Sequence, residues 1–238
     1  MVRDVIFNGP EGRIEAKFHL SEQPGAPIAL VLHPHPLHGG TMNNKVVYNA
    51  FHTFMEMGFS VLRFNFRGVG KSHGEYDSGI GELTDAACAL DWIQNQCPDA
   101  PSCWLAGFSF GSWIMLQLLM RRPEVNGFVA ISPPAKSYDF NFLSPCPAPG
   151  IIIQGNKDTV VSEEDVYDLY EKVDKQRNSK VDYYPISGAD HFFKDKLPEL
   201  KEAIKDYVEP KLKEDALPKK VKRDRRRRQT NPQENASG

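Results

Sequence analysis

The sequence has no apolar run approaching the roughly 18 uncharged residues that a membrane-spanning helix needs. It also lacks an apolar stretch at its start. Met1, Val2 and Arg3 lead into Asp4, and an Asn8-Gly9-Pro10 turn follows, which leaves no room for an export signal and makes the cytoplasm the expected location. Cysteine is scarce. Cys88, Cys97, Cys103 and Cys146 form no C-x-x-C pair and no finger spacing, so a zinc module and a disulfide scaffold are both excluded. In a chain without an export signal these thiols are expected to be reduced; a Cys97–Cys103 bridge would need an oxidising compartment. There is no internal repeat. A phosphate-binding loop is incomplete too: the stretch 64–72 has Asn65 where G-x-x-x-x-G-K-[ST] needs its first glycine, and it reads as an Arg67-anchored turn.

What is present is a chain of 238 residues, 40% apolar and 25% charged, which suits one globular domain with a sizeable core. Charge is unevenly spread. Residues 219–228 hold eight basic side chains and one acidic, or +7, whereas residues 1–218 hold 21 basic and 29 acidic, or −8. The domain itself therefore has no charge-driven affinity for nucleic acid. From Asp215 onward apolar residues almost vanish, so a domain over 1–212 is expected to be followed by a disordered basic tail over 213–238. That tail is read as a dispensable extension, with contact to an acidic partner such as RNA as its alternative.

Strands are expected at 5–7 and 13–19, as an antiparallel hairpin at a sheet edge. Largely apolar runs follow at 28–32, 60–64, 102–106, 127–131, 150–154 and 181–185, the expected mark of strands covered on both faces. Helical periodicity lies between them at 44–57, 80–96, 109–120, 163–175 and 194–208. In the second of these, Leu83, Ala86, Ala87, Leu90 and Ile93 keep the helical period. Alternating strands and helices with right-handed crossovers predict a mostly parallel, doubly wound α/β sheet with helices on both faces.

The most informative stretch runs from Trp104 to Trp113 and contains Gly107-Phe108-Ser109-Phe110-Gly111, a G-x-S-x-G between an apolar strand and a helix. This context presents a serine hydroxyl at the carboxyl end of a strand, with a helix N-terminus and the Phe110 amide beside it. Without partners the motif would be an incidental glycine-rich turn. A serine needs a base, and His191 is the one histidine after Ser109; it lies in a polar turn after an apolar run. Asp158, just past the run 150–154, would hold the imidazole in one tautomer. Asp165, on a helix, and Asp190, too near His191 to reach back, are rivals. For the oxyanion, the loop 33–42 is the second source of an amide. Pro34 and Pro36 have no N–H, so His35 is paired with Phe110. His33, His35 and His38 also allow a metal reading, but no nearby acid or cysteine completes a ligand set. Neither metal nor cofactor is expected.

With these motifs together the chain resembles the α/β-hydrolase superfamily, and within it a group of small, lidless bacterial hydrolases. The resemblance rests on L-H-P-H-P-L-H-G-G-T-M-N-N-K at 32–45, F-N-F-R-G-V-G-K-S at 64–72, A-G-F-S-F-G at 106–111, G-N-K-D at 155–158 and G-A-D-H-F-F at 188–193. It covers residues 3 to about 208 and implies a three-layer αβα fold with a central sheet of about eight strands, without a cap domain, and a Ser109–Asp158–His191 triad. Many relatives read Asp-x-Arg-Gly where this chain has Asn65-Phe66-Arg67-Gly68, a departure that touches the scaffold.

Lids in this superfamily often follow the strand ending near Ile131, yet about 18 residues separate Ile131 from Gly150. An open, shallow site is expected, bounded by Leu37, Phe110, Phe192 and the loop 133–142, and suited to short acyl esters. The function read from the sequence is hydrolysis of small carboxylic esters through an acyl-enzyme. Thioester or amide cleavage by the same triad is an alternative, and a non-catalytic binding protein with a nucleic-acid-contacting tail is the rival from another class. A small-molecule ester is the expected partner, no membrane is, and a homo-oligomer is left open.

Overall fold

The computed structural model describes residues 1–177 and 180–215. Its strands are β1 (Val2–Gly9), β2 (Gly12–His19), β3 (Ile28–Leu32), β4 (Ser60–Phe64), β5 (Cys103–Phe108), β6 (Val125–Ile131), β7 (Gly150–Gly155) and β8 (Val181–Ile186). The helices are α1 (Lys45–Glu56), α2 (Ile80–Gln96), α3 (Phe110–Leu119), α4 (Glu163–Asp174) and α5 (Leu197–Asp215). The strands form one sheet in the order β1-β2-β4-β3-β5-β6-β7-β8. β1 and β2 are the expected antiparallel hairpin at the edge, β2 runs antiparallel to β4, and β4 through β8 are parallel.

Burial explains this order. Every residue of β3, β4, β5 and β7 is buried, as covering on both faces demands, while β1 and β8 alternate with solvent at the edges. Two apolar layers flank the sheet. One holds α2, α3 and α4, with Leu90, Ile114, Met115 and Leu169 packed on Leu30, Leu62 and Ile152. The other holds α1 and α5, with Val47, Phe51, Phe54, Leu200 and Ile204 packed on Val31, Val61 and Ile153. In α1 the buried Val46, Val47, Ala50, Phe51 and Phe54 form one stripe, and each large side chain there contributes about 1.5–3 kcal/mol. The Asn44 carboxamide caps this helix by accepting from the Val46 amide at 2.9 Å.

α5 differs from expectation at both ends. It begins at Leu197, because Phe193 and Asp195 take left-handed φ values of 52° and 58° and turn the chain first. It continues through Pro210 to Asp215, past residue 208 where the periodic pattern ends. Leu212 packs on the second apolar layer and the Lys211 ammonium lies 3.7 Å from the Tyr207 ring centroid, contacts that offset the amide that proline lacks. Residues 213–215, expected to open a disordered tail, are thus the last of α5; the rest of that tail, with the basic run 219–228, lies outside the described residues.

Residues 132–149, where a lid would be inserted, fold down on α3. Phe140 and Leu143 are buried, and the Trp113 indole N–H donates to the Asp139 carbonyl at 3.0 Å. Among the described residues there is no cap domain. All four cysteines are free thiols. Among the described residues no helix is long and apolar enough to cross a membrane.

Candidate active site

Parallel strands deliver their following loops to one edge of the sheet, the usual place for a site in an open α/β fold. The segments after β3, β5, β7 and β8 therefore bring residues 33–44, 109, 156–162 and 187–196 to the same side. At the end of β5 the chain turns so sharply into α3 that Ser109 is held at φ 52° and ψ −121°. A non-glycine residue rarely adopts this conformation, and such strain concentrates at functional positions. The turn is locked from both directions: the Ser109 amide donates to the Ile131 carbonyl at 2.8 Å, and the Ser109 carbonyl accepts from the Ser112 amide and hydroxyl at 2.8 and 2.6 Å. The two glycines of the motif are needed for close approach. A Cβ on Gly107 would meet the Gly111 carbonyl oxygen at 2.5 Å, and one on Gly111 would meet the His33 carbonyl oxygen at 2.5 Å. A serine at a helix N-terminus ordinarily caps it, but the Ser109 hydroxyl makes no cap bond and is left to face outward at partial exposure.

His191 and Asp158, 33 residues apart, meet in a hydrogen bond of 2.7 Å between Nδ1 and Oδ2. Both are buried. Asp158 is saturated: Oδ1 accepts from the Val160 and Val161 amides at 2.8 Å each, and Oδ2 also accepts from the Gln154 carboxamide at 3.2 Å. Burial pushes this carboxyl up, but the bonds from His191, Val161 and Val160 outweigh it and hold the group below its ordinary value. It is thus ionised near neutrality and fixes the proton on His191 Nδ1, leaving Nε2 as the basic nitrogen. The imidazole packs on Phe108, the residue before Ser109, with ring centroids 5.0 Å apart. The Ser109 hydroxyl makes no hydrogen bond to His191, or to any other described residue; such contacts are often loose before substrate binds. Of the rivals, Asp165 is tied to the cap of α4 through Ser162, and Asp190 accepts from the Phe192 and Lys194 amides at 3.1 and 2.9 Å.

The amides of His35 and Phe110 donate to no other described residue. The loop that carries His35 is held by its neighbours. His33 is fully buried; its Nδ1 donates to the Pro34 carbonyl at 2.6 Å and its Nε2 accepts from the Phe66 amide at 3.0 Å. Burial, opposed only by the Pro34 bond, pushes its pKa down to about 3, so the ring is neutral. The far end of the loop hangs on Asn65, whose carbonyl oxygen accepts from the Met42 amide at 2.8 Å while its NH2 donates to Glu15 at 2.9 Å. The Arg67 expected to anchor its turn makes paired bonds to Asp85 at 3.0 and 2.9 Å. The rings of His35 and His38 stack at 4.3 Å, and among the described residues no three His, Cys, Asp or Glu side chains converge to hold a metal ion.

Of the residues expected to bound the pocket, Leu37 and Phe192 are 68% and 53% exposed, whereas the Phe110 ring is buried under His35, Tyr76, Trp113 and Tyr138. Sequence reasoning missed Gln154, a fully buried carboxamide behind Asp158. The available signal was a polar side chain closing the run Ile151-Ile152-Ile153.

A capless αβα sandwich with G-x-S-x-G at a strand–helix turn defines a class, the serine-hydrolase-like α/β proteins. The family model described as serine aminopeptidase, S33 matches residues 29–148. An uncharacterized protein of Rickettsia prowazekii (strain Madrid E) is 56% identical over 208 residues, 86% of this chain and 87% of that protein. A solved α/β hydrolase of unknown function from Agrobacterium tumefaciens superposes with a TM-score of 0.86 at 51% identity, over 91% of this chain and 99% of its own. A serine hydrolase without lid from Xanthomonas campestris gives 0.80 at 35% identity, over 88% and 94%. The chain belongs to the α/β-hydrolase superfamily.

Proposed function

We propose that this hydrolase cleaves small carboxylic esters, with Ser109 as nucleophile, His191 as general base and acid, and Asp158 as the carboxylate that orients it. The single observation carrying this reading is the 2.7 Å bond from His191 Nδ1 to a saturated, buried Asp158, beside a serine held in a strained turn with its hydroxyl unused for capping. Ser109 Oγ attacks the ester carbonyl as Nε2 takes its proton. The oxyanion that forms accepts from the His35 and Phe110 amides, each worth about 2.7–4 kcal/mol in such sites. Collapse expels the alcohol, which takes the proton from Nε2, and a water activated by the same nitrogen releases the acyl group.

The short loop 132–149, folded on α3, supports a short acyl group over a long one. Thioesters and amides share the chemistry, and a panel of the three at equal acyl length ranks them. The test of the assignment is labelling with a fluorophosphonate. The wild-type chain is expected to react at Ser109 and Ser109→Ala not at all, while Asp158→Asn loses about 10³–10⁴-fold in kcat. Equal labelling of wild type and Ser109→Ala would remove Ser109 from the mechanism.

A further inference from the structure

Along the loop that carries His191, after β8, a cleft of about 740 Å³ opens between that loop and the starts of α1 and α5. Its walls are Asn44 and Lys45 on α1, Leu197 and Pro198 on α5, and Asp190, Phe192, Lys194 and Asp195 on the loop. No step derived above uses it. When Ser109 Oγ forms its bond to the acyl carbon, the bond from that carbon to the alkoxy oxygen must break. The electron pair stays on the oxygen, which takes the proton from His191 Nε2, so the departing group leaves on the side of the imidazole. Asp190 and Phe192 flank His191 in the chain and both line this cleft; the Phe192 ring stands edge-on to the imidazole with centroids 5.2 Å apart.

The geometry points to this cleft as the leaving-group subsite, fitted to a bulky, uncharged, apolar alcohol. This inference rests on the ester-hydrolase reading and adds the substrate class. Three observations carry it. The volume is that of a site for a ligand of many atoms, and Phe192, Leu197, Pro198 and the methylene stems of two lysines supply apolar wall. The rim has no net charge: Lys45 and Lys194 are matched by Asp190 and Asp195, so neither sign of ligand is favoured. The wall is also built in advance. Asp190 Oδ1 holds the Phe192 and Lys194 amides, and the buried Phe193 pins the loop in a left-handed turn, so little ordering is required when a ligand enters.

On the other face of the sheet the cavity walled by Tyr138, Phe140, Leu143 and Leu169 is smaller, about 390 Å³ against 740 Å³. There the rings of Trp113 and Tyr138 lie 4.3 Å apart and those of His35 and Phe110 4.9 Å, and the Asp139 carbonyl on the loop 132–149 takes the Trp113 indole N–H. Selectivity is thereby assigned to the alcohol, with a short acyl group tolerated on the crowded side.

The experiment compares kcat/KM for ethyl acetate and 2-naphthylmethyl acetate, whose alcohols are of similar acidity, on the full chain. A preference of about 30-fold for the naphthylmethyl ester is expected from the apolar area covered. Leu197→Trp, which fills the cleft, and Phe192→Ala, which removes a wall, should each reduce that ratio at least about fivefold, with unfolding midpoints in urea checking that both variants fold. Independently, free 2-naphthylmethanol should shift the NMR signals of the Phe192 and Lys194 amides in Ser109→Ala, and not in that chain carrying Leu197→Trp as well. Ester hydrolysis with a ratio near one and no shift by the alcohol overturns the subsite and leaves the hydrolase. Alcohol binding with no hydrolysis of any ester overturns the leaving-group assignment together with the hydrolase reading.

Discussion

Gln154 shows how a single side chain can set the behaviour of a site it does not enter. Its NH2 donates to Asp158 Oδ2 at 3.2 Å and to the Val161 carbonyl at 2.9 Å, while its own carbonyl oxygen is buried without a partner. Gln154→Leu keeps the volume, removes that orphan oxygen and deletes one donor from the carboxylate. Stability should therefore change little, while kcat falls about tenfold, the equivalent of one such bond. Gln154→Glu is the sharper probe. It sets a second carboxylate beside Asp158, which makes the proton harder to remove from the Asp158–His191 pair. The acid limb of the kcat/KM profile is expected to move up by about one pH unit. A residue that only filled space would scale the whole profile and leave the limb in place, and that result would exclude a positioning role for Gln154.

Between elements, the departure at Asn65 turns out to be one half of a matched pair. The carboxamide reaches two ways, accepting from the Met42 amide on the loop after β3 and donating to Glu15 on β2. Glu15 takes the Lys71 amide with the same oxygen, at 2.8 Å. The acid common elsewhere in the superfamily would bring an oxygen to within about 3 Å of that carboxylate with nothing to donate. Asn65→Asp is thus expected to cost about 2 kcal/mol in urea unfolding, and adding Glu15→Gln, which restores a donor, to recover most of it. If the two changes are simply additive, the pair is not coupled. This link was illegible in the sequence because its partners are 50 positions apart and each reads as an ordinary polar residue. The strands were legible for the opposite reason: runs such as Ile28-Ala29-Leu30-Val31-Leu32 are apolar throughout because both faces are covered. The turn at Ser109 was legible too, since its two glycines answer to backbone contacts nearby. The late start of α5 was not, because it depends on left-handed residues at Phe193 and Asp195, neither of them glycine.

At the scale of the whole molecule, the sheet's apolar cover reaches the site itself, and His33 is where that is felt as pH dependence. Its ring joins the Pro34 carbonyl to the Phe66 amide and can do so only when neutral, because Nε2 must accept. Burial lowers its folded pKa to about 3, whereas in the unfolded chain it titrates near 6.5. Between those values the unfolded chain holds a proton that the folded chain lacks. Stability from this group is therefore complete above about pH 6.5 and declines by about 1.4 kcal/mol for each unit of acidification down to about pH 3. Asp158, also depressed, adds loss in the same direction at lower pH. His33→Gln isolates the histidine, since a carboxamide oxygen can take the Phe66 amide and does not titrate, and all other groups cancel in the comparison. Urea unfolding at pH 7, 6, 5 and 4 should show the wild type more stable at neutrality and its advantage shrinking by about 1.4 kcal/mol per unit below pH 6. An advantage constant across that range would mean that the ring is protonated in the folded chain, and that the loop carrying the His35 amide is held by something other than a neutral imidazole.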